Sequence, residues 1–267
     1  QSIIKKGINN METLKQYYRR NNLLTISADS KTVKGEKLGY LTGILYLSPH
    51  KLSGKNFCPF ATICCIGGCL NTAGRGQMDC IQEARLKRSA YMITDKENFM
   101  LELYIRIQGL IKRADNLNLI PVIRLNGTSD LRFENLKFNY NNKKRTLMQI
   151  FKTVQFYDYT KYPLETGRWD NLPPNYDLTY SLAENNQLQA LQLLQAGKRV
   201  AAVYRNKLPK YQSFKIGDYV YKYPVLDADT SDLRFNDPGS YICGLKAKGK
   251  AKKDTSGFVL DTNIITI

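Results

Sequence analysis

Four of the six cysteines in this chain, Cys58, Cys64, Cys65 and Cys69, fall inside one segment, Phe57-Cys-Pro-Phe-Ala-Thr-Ile-Cys-Cys-Ile-Gly-Gly-Cys-Leu70. Thiolates crowded in this way can share one inorganic centre. An iron–sulfur cluster needs three or four of them held by one loop, and Cys58-x6-Cys65-x3-Cys69 offers three. Pro59 stiffens the approach to the segment, and Gly67 and Gly68 let the backbone curl closely around a bulky group. Structural zinc prefers two separated close pairs of the C-x2-C kind, whereas here there is one tight group, with Cys80 the nearest addition. Disulfides suit a secreted chain, and residues 1–10 lack an apolar signal core. The spacings therefore favour iron–sulfur over zinc, and zinc over disulfides or free thiols. Three cysteines around a four-iron cluster leave one iron open to a substrate or to S-adenosylmethionine. A fourth ligand, Cys64 or Cys80, would close it. Cys243 is remote in sequence and reads as a small core residue.

The single histidine, His50, rules out a His-rich metal site and leaves any Ser/His/Asp triad one base to draw on. It stands in Ser48-Pro49-His50-Lys51, a turn sequence, and is not expected to be catalytic.

Forty basic against twenty-three acidic side chains give the 267-residue chain a formal charge of +17. That balance points to a polyanionic partner, nucleic acid or a phosphorylated ligand. The densest basic run, Lys246, Lys248, Lys250, Lys252 and Lys253, is interleaved with Ala and Gly and reads as a mobile loop. Eighteen tyrosines, some beside Lys or Arg as in Tyr17-Tyr18-Arg19-Arg20 and Tyr219 to Tyr223, offer stacking surfaces or an amphipathic sheet. No apolar run approaches the roughly eighteen residues of a membrane span, so no membrane role is expected.

These residues need a scaffold. Residues 1–23 read as a basic N-terminal extension with a helix over 11–22, and Met11 is an alternative start. Strands are predicted at 24–27 and 43–47, the second leading into the cysteine loop. A helix should cover 78–91, and another, N-capped by Asp95, should run to 116 with Phe99, Leu103, Ile107 and Leu110 on one face. Strands follow at 121–125, 154–157, 176–180, 199–204, 219–225 and 241–245. Helices are expected at 145–152 and at 184–196, the latter ended by Gly197. Strands alternating with helices predict a single α/β domain over 24–267, its parallel sheet closed into a full or partial barrel. A doubly wound sheet is the competitor, but no G-x-G-x-x-G or P-loop sequence is present.

One hexapeptide occurs twice, Thr128-Ser-Asp-Leu-Arg-Phe133 and Thr230-Ser-Asp-Leu-Arg-Phe235. Ser-Asp can cap a helix or, at a strand end, face a site. Other polar residues at predicted strand ends are Arg124, Asn126, Ser129 and Asp130, then Asp158 and Lys161, then Ser181 and Glu184, then Asp229 and Asp232. In a parallel barrel these ends converge on one face. The candidate catalytic set is Asn126, Ser129, Asp130, Asp158, Lys161, Glu184 and Asp232. Arg124 and Arg75, the latter beside the cysteine loop, are candidates to neutralise a cofactor or grip a phosphate.

The sequence resembles the bacteriophage gene product 88 domain family over about 24–259. The resemblance rests on Lys34-Gly-Glu-Lys-Leu-Gly-Tyr40, Cys58-Pro with Cys65 and Cys69, Ala73-Gly-Arg-Gly76, Ala84-Arg85 and Arg124-Leu-Asn-Gly-Thr-Ser-Asp130. It continues through Gln155-Phe-Tyr-Asp-Tyr-Thr-Lys161, Asp229 with Asp232-Leu-Arg-Phe235, and Gly244-Leu-Lys-Ala-Lys-Gly249. It implies Cys58, Cys65 and Cys69 as the shared trio and the host-cell cytoplasm as location, and implies no activity. A second similarity is to radical S-adenosylmethionine enzymes, which place three cysteines after the first strand of a partial barrel. The spacing departs from their C-x3-C-x2-C, and Asn126-Gly-Thr-Ser-Asp130 stands where they carry Gly-Gly-Glu. The expected function is thus an iron–sulfur protein acting on or binding nucleic acid or another anionic ligand. The alternatives are a radical enzyme with an open four-iron cluster, and a zinc-stapled nucleic-acid-binding protein.

Overall fold

The computed structural model describes residues 22–27 and 30–267. The helix expected over 11–22 lies, but for its last residue, outside them. In chain order the strands are β1 (Leu24–Ile26), β2 (Tyr40–Leu45), β3 (Ile120–Arg124), β4 (Phe138–Tyr140), β5 (Lys143–Arg145), β6 (Gln155–Thr160) and β7 (Tyr176–Ser181). Then come β8 (Val200–Tyr204), β9 (Tyr211–Ile216), β10 (Tyr219–Asp227), β11 (Ile242–Lys246), β12 (Val259–Leu260) and β13 (Ile264–Thr266). The helices are α1 (Ser30–Lys37), α2 (Ile63–Gly67), α3 (Asp79–Thr94), α4 (Lys96–Asn116), α5 (Leu147–Ile150) and α6 (Gln187–Gln195).

Eleven strands form one sheet in the order β1-β2-β3-β6-β7-β8-β11-β10-β9-β13, with β12 joined to β8. From β2 to β10 along that path every neighbouring pair is parallel. β1 lies antiparallel on β2, and β9 antiparallel on β10. The full or partial barrel expected from the strand count is not found: the sheet is large, mostly parallel and not closed. Antiparallel β1 covers one edge, the β9–β10 hairpin and β13 extend the other, and no pairing joins the two edges among the described residues. The doubly wound competitor also fails, because strand order follows the sequence from β1 to β8 without reversing.

The buried stripe of α4 has the spacing the sequence predicts: Phe99, Met100, Leu103, Ile107, Leu110 and Ala114 are buried. Asp95 caps the helix by accepting the Asn98 N–H. These side chains join Leu41, Leu45, Ile123, Phe156, Val200 and the α6 residues Leu191 and Leu194 in the main core. Burying each such side chain contributes about 1.5–3 kcal/mol. The opposite face of the sheet is filled by the segment after β10: Leu233 and Phe235 pack on Val122 and Tyr157, and Ala228 on Ala201 and Cys243. That filling stops short of the C-terminal strand ends. β8 also changes partner along its length, pairing β7 through Val200 and Ala201 and β12 through Val203 and Tyr204. The sheet forks there, and the cavity described next lies at the fork.

Candidate functional site

The cavity has a volume of about 240 Å³ and lies where the parallel strands end. Cys58, Cys65 and Cys69 form one wall; Arg124, Asn126, Ser129, Asp130, Lys161 and Asp232 also line it. Residues predicted from positions 58 to 232 thus meet in one place. The structure does not bring the other candidates there. Asp158 is buried one layer behind the wall, Glu184 holds the cysteine segment from outside, Arg75 and Cys80 are exposed, and Cys64 packs beside Ala183 and Phe258.

The cysteine segment is not a plain loop. Residues 63–67 form α2, whose N-cap Thr62 accepts the Cys65 N–H and donates to Glu184 Oε2 at 2.9 Å. The backbone around Cys69 is held by Arg85, which donates to the carbonyl and the side chain of Asn71 and stacks its guanidinium over Tyr46. Arg85, which the sequence marks only as part of the family resemblance, takes the place beside Cys69 that was expected of Arg75. Cys58 is fixed from two sides. The His50 backbone N–H donates to its Sγ, the thiol faces the Thr128 carbonyl at 3.8 Å, and the Asp130 N–H donates to the Phe57 carbonyl. Cys58 and Cys65 are therefore tied to the ends of different strands, β3 and β7, and Cys69 to helix α3.

Burial pushes all three thiols above their usual range, Cys58 to about 12; Lys161 pulls Cys65 back down, and the Asn71 N–H, Arg85 and then Lys161 do so for Cys69. Lys161 lies between the thiols and the end of β7. Its residue is only 8% exposed, and its Nζ donates to Ser181 Oγ at 2.8 Å and to the carbonyls of Ser181 and Leu182. All three acceptors are neutral. The ammonium also lies 5.4 Å from the centre of the Phe258 ring, and the carboxylates of Asp130, Asp229 and Asp232 line the same cavity; none of the three accepts a hydrogen bond from it. On the far wall, Arg124 donates to Asp232 Oδ2 at 2.7 Å and lies 4.8 Å from the Tyr159 ring centre.

Behind the wall runs a buried polar ring. Arg168, which the sequence did not flag, is fully buried and donates to Asp130, Glu134, Thr160, the Leu131 carbonyl and Tyr176. The Tyr176 hydroxyl donates to Asp158 at 2.9 Å. Asp158 accepts both the backbone and side-chain N–H groups of Asn126, whose carboxamide oxygen accepts from Ser129 Oγ. The ring closes at Asp130, the next residue. The two hexapeptides serve the site in the same way: Asp130 and Asp232 each face the cavity paired with an arginine, and neither caps the 3₁₀ turn that follows its copy.

Among the described residues, no group of three or more His, Cys, Asp or Glu side chains is arranged to hold a single metal ion. The family model of gene product 88 matches residues 14–262. The chain belongs to the gene product 88 family. Comparison with curated proteins and with solved structures finds no match. For this gene product 88 family member, the likeness to radical S-adenosylmethionine enzymes rests on the order of strand and cysteines alone.

Two outcomes follow from the ring. Replacing Arg168 by Met leaves Asp130 and Glu134 buried without their cation and should cost about 3–5 kcal/mol in urea unfolding; a loss under 1 kcal/mol would show the ring is not needed. Burial raises the Asp158 carboxyl from 3.8 to about 7 against the opposing pull of Arg124, the Asn126 N–H and Tyr176. An acid raised on folding contributes stability in full below its unfolded pKa and loses it as pH rises through the folded one. The wild type should therefore lose stability relative to Asp158→Asn between pH 4 and about 7. The wild-type melting temperature minus that of Asp158→Asn should fall from pH 5 to pH 8, and a constant difference contradicts this account.

Proposed function

We propose that this gene product 88 family protein is an iron–sulfur protein that binds an anionic ligand beside its cluster. One observation carries the reading: the Lys161 ammonium, buried with only neutral acceptors, lies in the cavity that Cys58, Cys65 and Cys69 line. Three cysteine thiolates bring net negative charge to that cavity when they ligate metal, and Lys161 supplies the balancing cation. The donor set is three sulfurs with no histidine, which suits iron–sulfur ligation. The absence of a single-ion arrangement bears on zinc more than on a cluster, because a four-iron cube spaces its thiolates more widely than one ion does. Burial favours the neutral thiols, so metal binding at this trio releases protons.

A cluster held by three cysteines would supply an open iron for Lewis-acid or one-electron chemistry at the cavity wall. The protein's own groups then have separate tasks. Arg124, oriented by Asp232 and Tyr159, binds an anionic group from the wall opposite the thiols. Asn126, Ser129 and Asp130 shape that wall, and Phe258, Val203 and Leu245 keep the rest of it apolar. The runner-up keeps the same trio and takes S-adenosylmethionine as the ligand. It is favoured by the position of the cysteine segment directly after the first parallel strand.

Protein purified without oxygen should contain iron and sulfide in about equal amounts and absorb near 400 nm, roughly where such clusters do. Cys58→Ser, Cys65→Ser and Cys69→Ser should each lose most of the iron, while Cys64→Ser, Cys80→Ser and Cys243→Ser keep it. Neither iron nor sulfide in the wild type would sink the proposal, and one zinc per chain would establish the stapled alternative. A spectral change of the reduced protein on adding S-adenosylmethionine would decide for the runner-up. Lys161→Met should retain less than half the wild-type iron through gel filtration, with Lys161→Arg restoring it; equal retention in all three contradicts the counter-charge role.

A further inference from the structure

The connection from β11 to β12 carries Lys246, Lys248, Lys250, Lys252 and Lys253, all exposed. Its composition predicts a mobile loop, but the structure shows a fastened strap. Lys248 pairs with Asp229 at 2.7 Å, and Asp229 also accepts the Lys246 N–H. At the other end Arg205 donates to the carbonyls of Lys252 and Asp254 while pairing with Asp261. Between these anchors Ala251 and Phe258 are buried against the cysteine segment, so closely that a Cβ on Gly68 would lie 3.1 Å from the Phe258 ring. Gly249 takes the left-handed φ of +54° that lets the strap turn over Ala73. The lysines are thus displayed from a pre-ordered backbone, and a ligand that binds them need not order the strap.

Their placement is directional. Lys246 and Lys248 line the mouth of the cysteine cavity. Lys250 and Lys253 line a neighbouring hollow of about 500 Å³ together with Asn71 and Gln77. Among the described residues only Lys248 of the five is in an ion pair. Four cations without an ion pair and one paired to Asp229 lead to a cavity with an apolar wall of Val203, Leu245 and Phe258; the cavity's carboxylates Asp130 and Asp232 are each paired with an arginine, and this arrangement matches a ligand with repeated negative charges and flat uncharged side groups. A single-stranded nucleic acid has that chemistry. A duplex keeps its bases stacked inside and cannot seat one without extruding it.

We infer that the strap is a phosphate track for single-stranded DNA or RNA and that the cavity mouth seats one of its bases. The inference deepens the proposed function and rests on its reading of the cavity as a ligand site, though not on the identity of the metal. It names the anionic ligand as a polynucleotide.

The test uses the full chain and a fluorescein-labelled oligothymidylate of about twenty nucleotides, long enough to cover one binding site. Anisotropy should show binding that weakens steeply with salt. The triple variant Lys250→Ala, Lys252→Ala, Lys253→Ala changes only exposed side chains and should fold normally. It should bind about tenfold more weakly near physiological salt, with a log–log salt slope shallower by about 2, from roughly 0.7 per phosphate contact. Val203→Phe, which fills the cavity, should keep the salt slope yet abolish the fluorescence change of an oligonucleotide carrying a single 2-aminopurine. Unchanged affinity in the triple variant would overturn the inference. So would equal affinity for a duplex of the same sequence, or strap-dependent capture by phosphatidylserine vesicles with no oligonucleotide binding. Iron and sulfide are measured on the same samples. Binding without iron leaves the track standing and removes the cluster, and iron without binding does the reverse.

Discussion

The site depends on one buried cation, the guanidinium of Arg168. It sits where no water reaches and spends all its donors on five neighbours, two of them carboxylates. Taking a guanidinium and its partners out of water is costly, and the arrangement holds only because nearly every lone pair and proton in it is matched. In exchange, four chain segments distant in sequence are locked together: the turn after β3, the end of β6, the β6–β7 connection and the start of β7. The backbone from Asn126 to Asp130 is fixed from behind by this lock, and in front Thr128 and Asp130 touch the cysteine segment, so the stretch forms a cavity wall.

The same logic extends to the cysteines. None of them is buried in a hydrophobic cluster as Cys243 is, although Cys65 packs against the cluster around Ala183 and Phe258. Cys58 is tied to the turn after β3, Cys65 through Thr62 to the residues after β7, and Cys69 through Asn71 to Arg85 on α3. A segment with little apolar burial, α2 having no buried residue at all, is thereby positioned by polar anchors on three sides. Lys161 belongs to both systems. Its backbone N–H is fixed by Asp130 and its ammonium points at the thiols' side of the cavity.

Much of the scaffold was legible in the sequence. The 3.6-residue spacing of Phe99, Leu103, Ile107 and Leu110 marks α4, and short apolar runs mark β3, β6, β7 and β8, because these patterns record burial directly. Short elements were not legible. The β4–β5 hairpin, α1, β9, β12 and β13 are two to eight residues long and owe their form to pairing partners elsewhere. Open or closed sheet was equally hidden, since closure depends on what covers the two edges and not on the strands themselves. The cysteine trio and the strand-end polar residues were found because chemistry and position are both local signals. Arg168, Tyr176 and Glu134 were missed, and Arg85 was given no role, for the opposite reason. Each acts through a partner more than a dozen residues away or through burial, and an arginine in Thr166-Gly-Arg-Trp169 looks like any surface arginine.

The strand that changes partner midway has a further consequence. Because β8 gives its first residues to β7 and its last to β12, the connection ending at β12 is fixed in register at its far end, while Asp229 fixes it near its start. A surface loop ordinarily absorbs an inserted or deleted residue as slack. This one has none to offer: a shift by one position would turn Val259 to the other side of the sheet and lift Phe258 off Gly68. Length in this stretch should drift far less among related chains than its lysine-and-glycine composition suggests, whereas the lysines themselves are free to trade places with arginine.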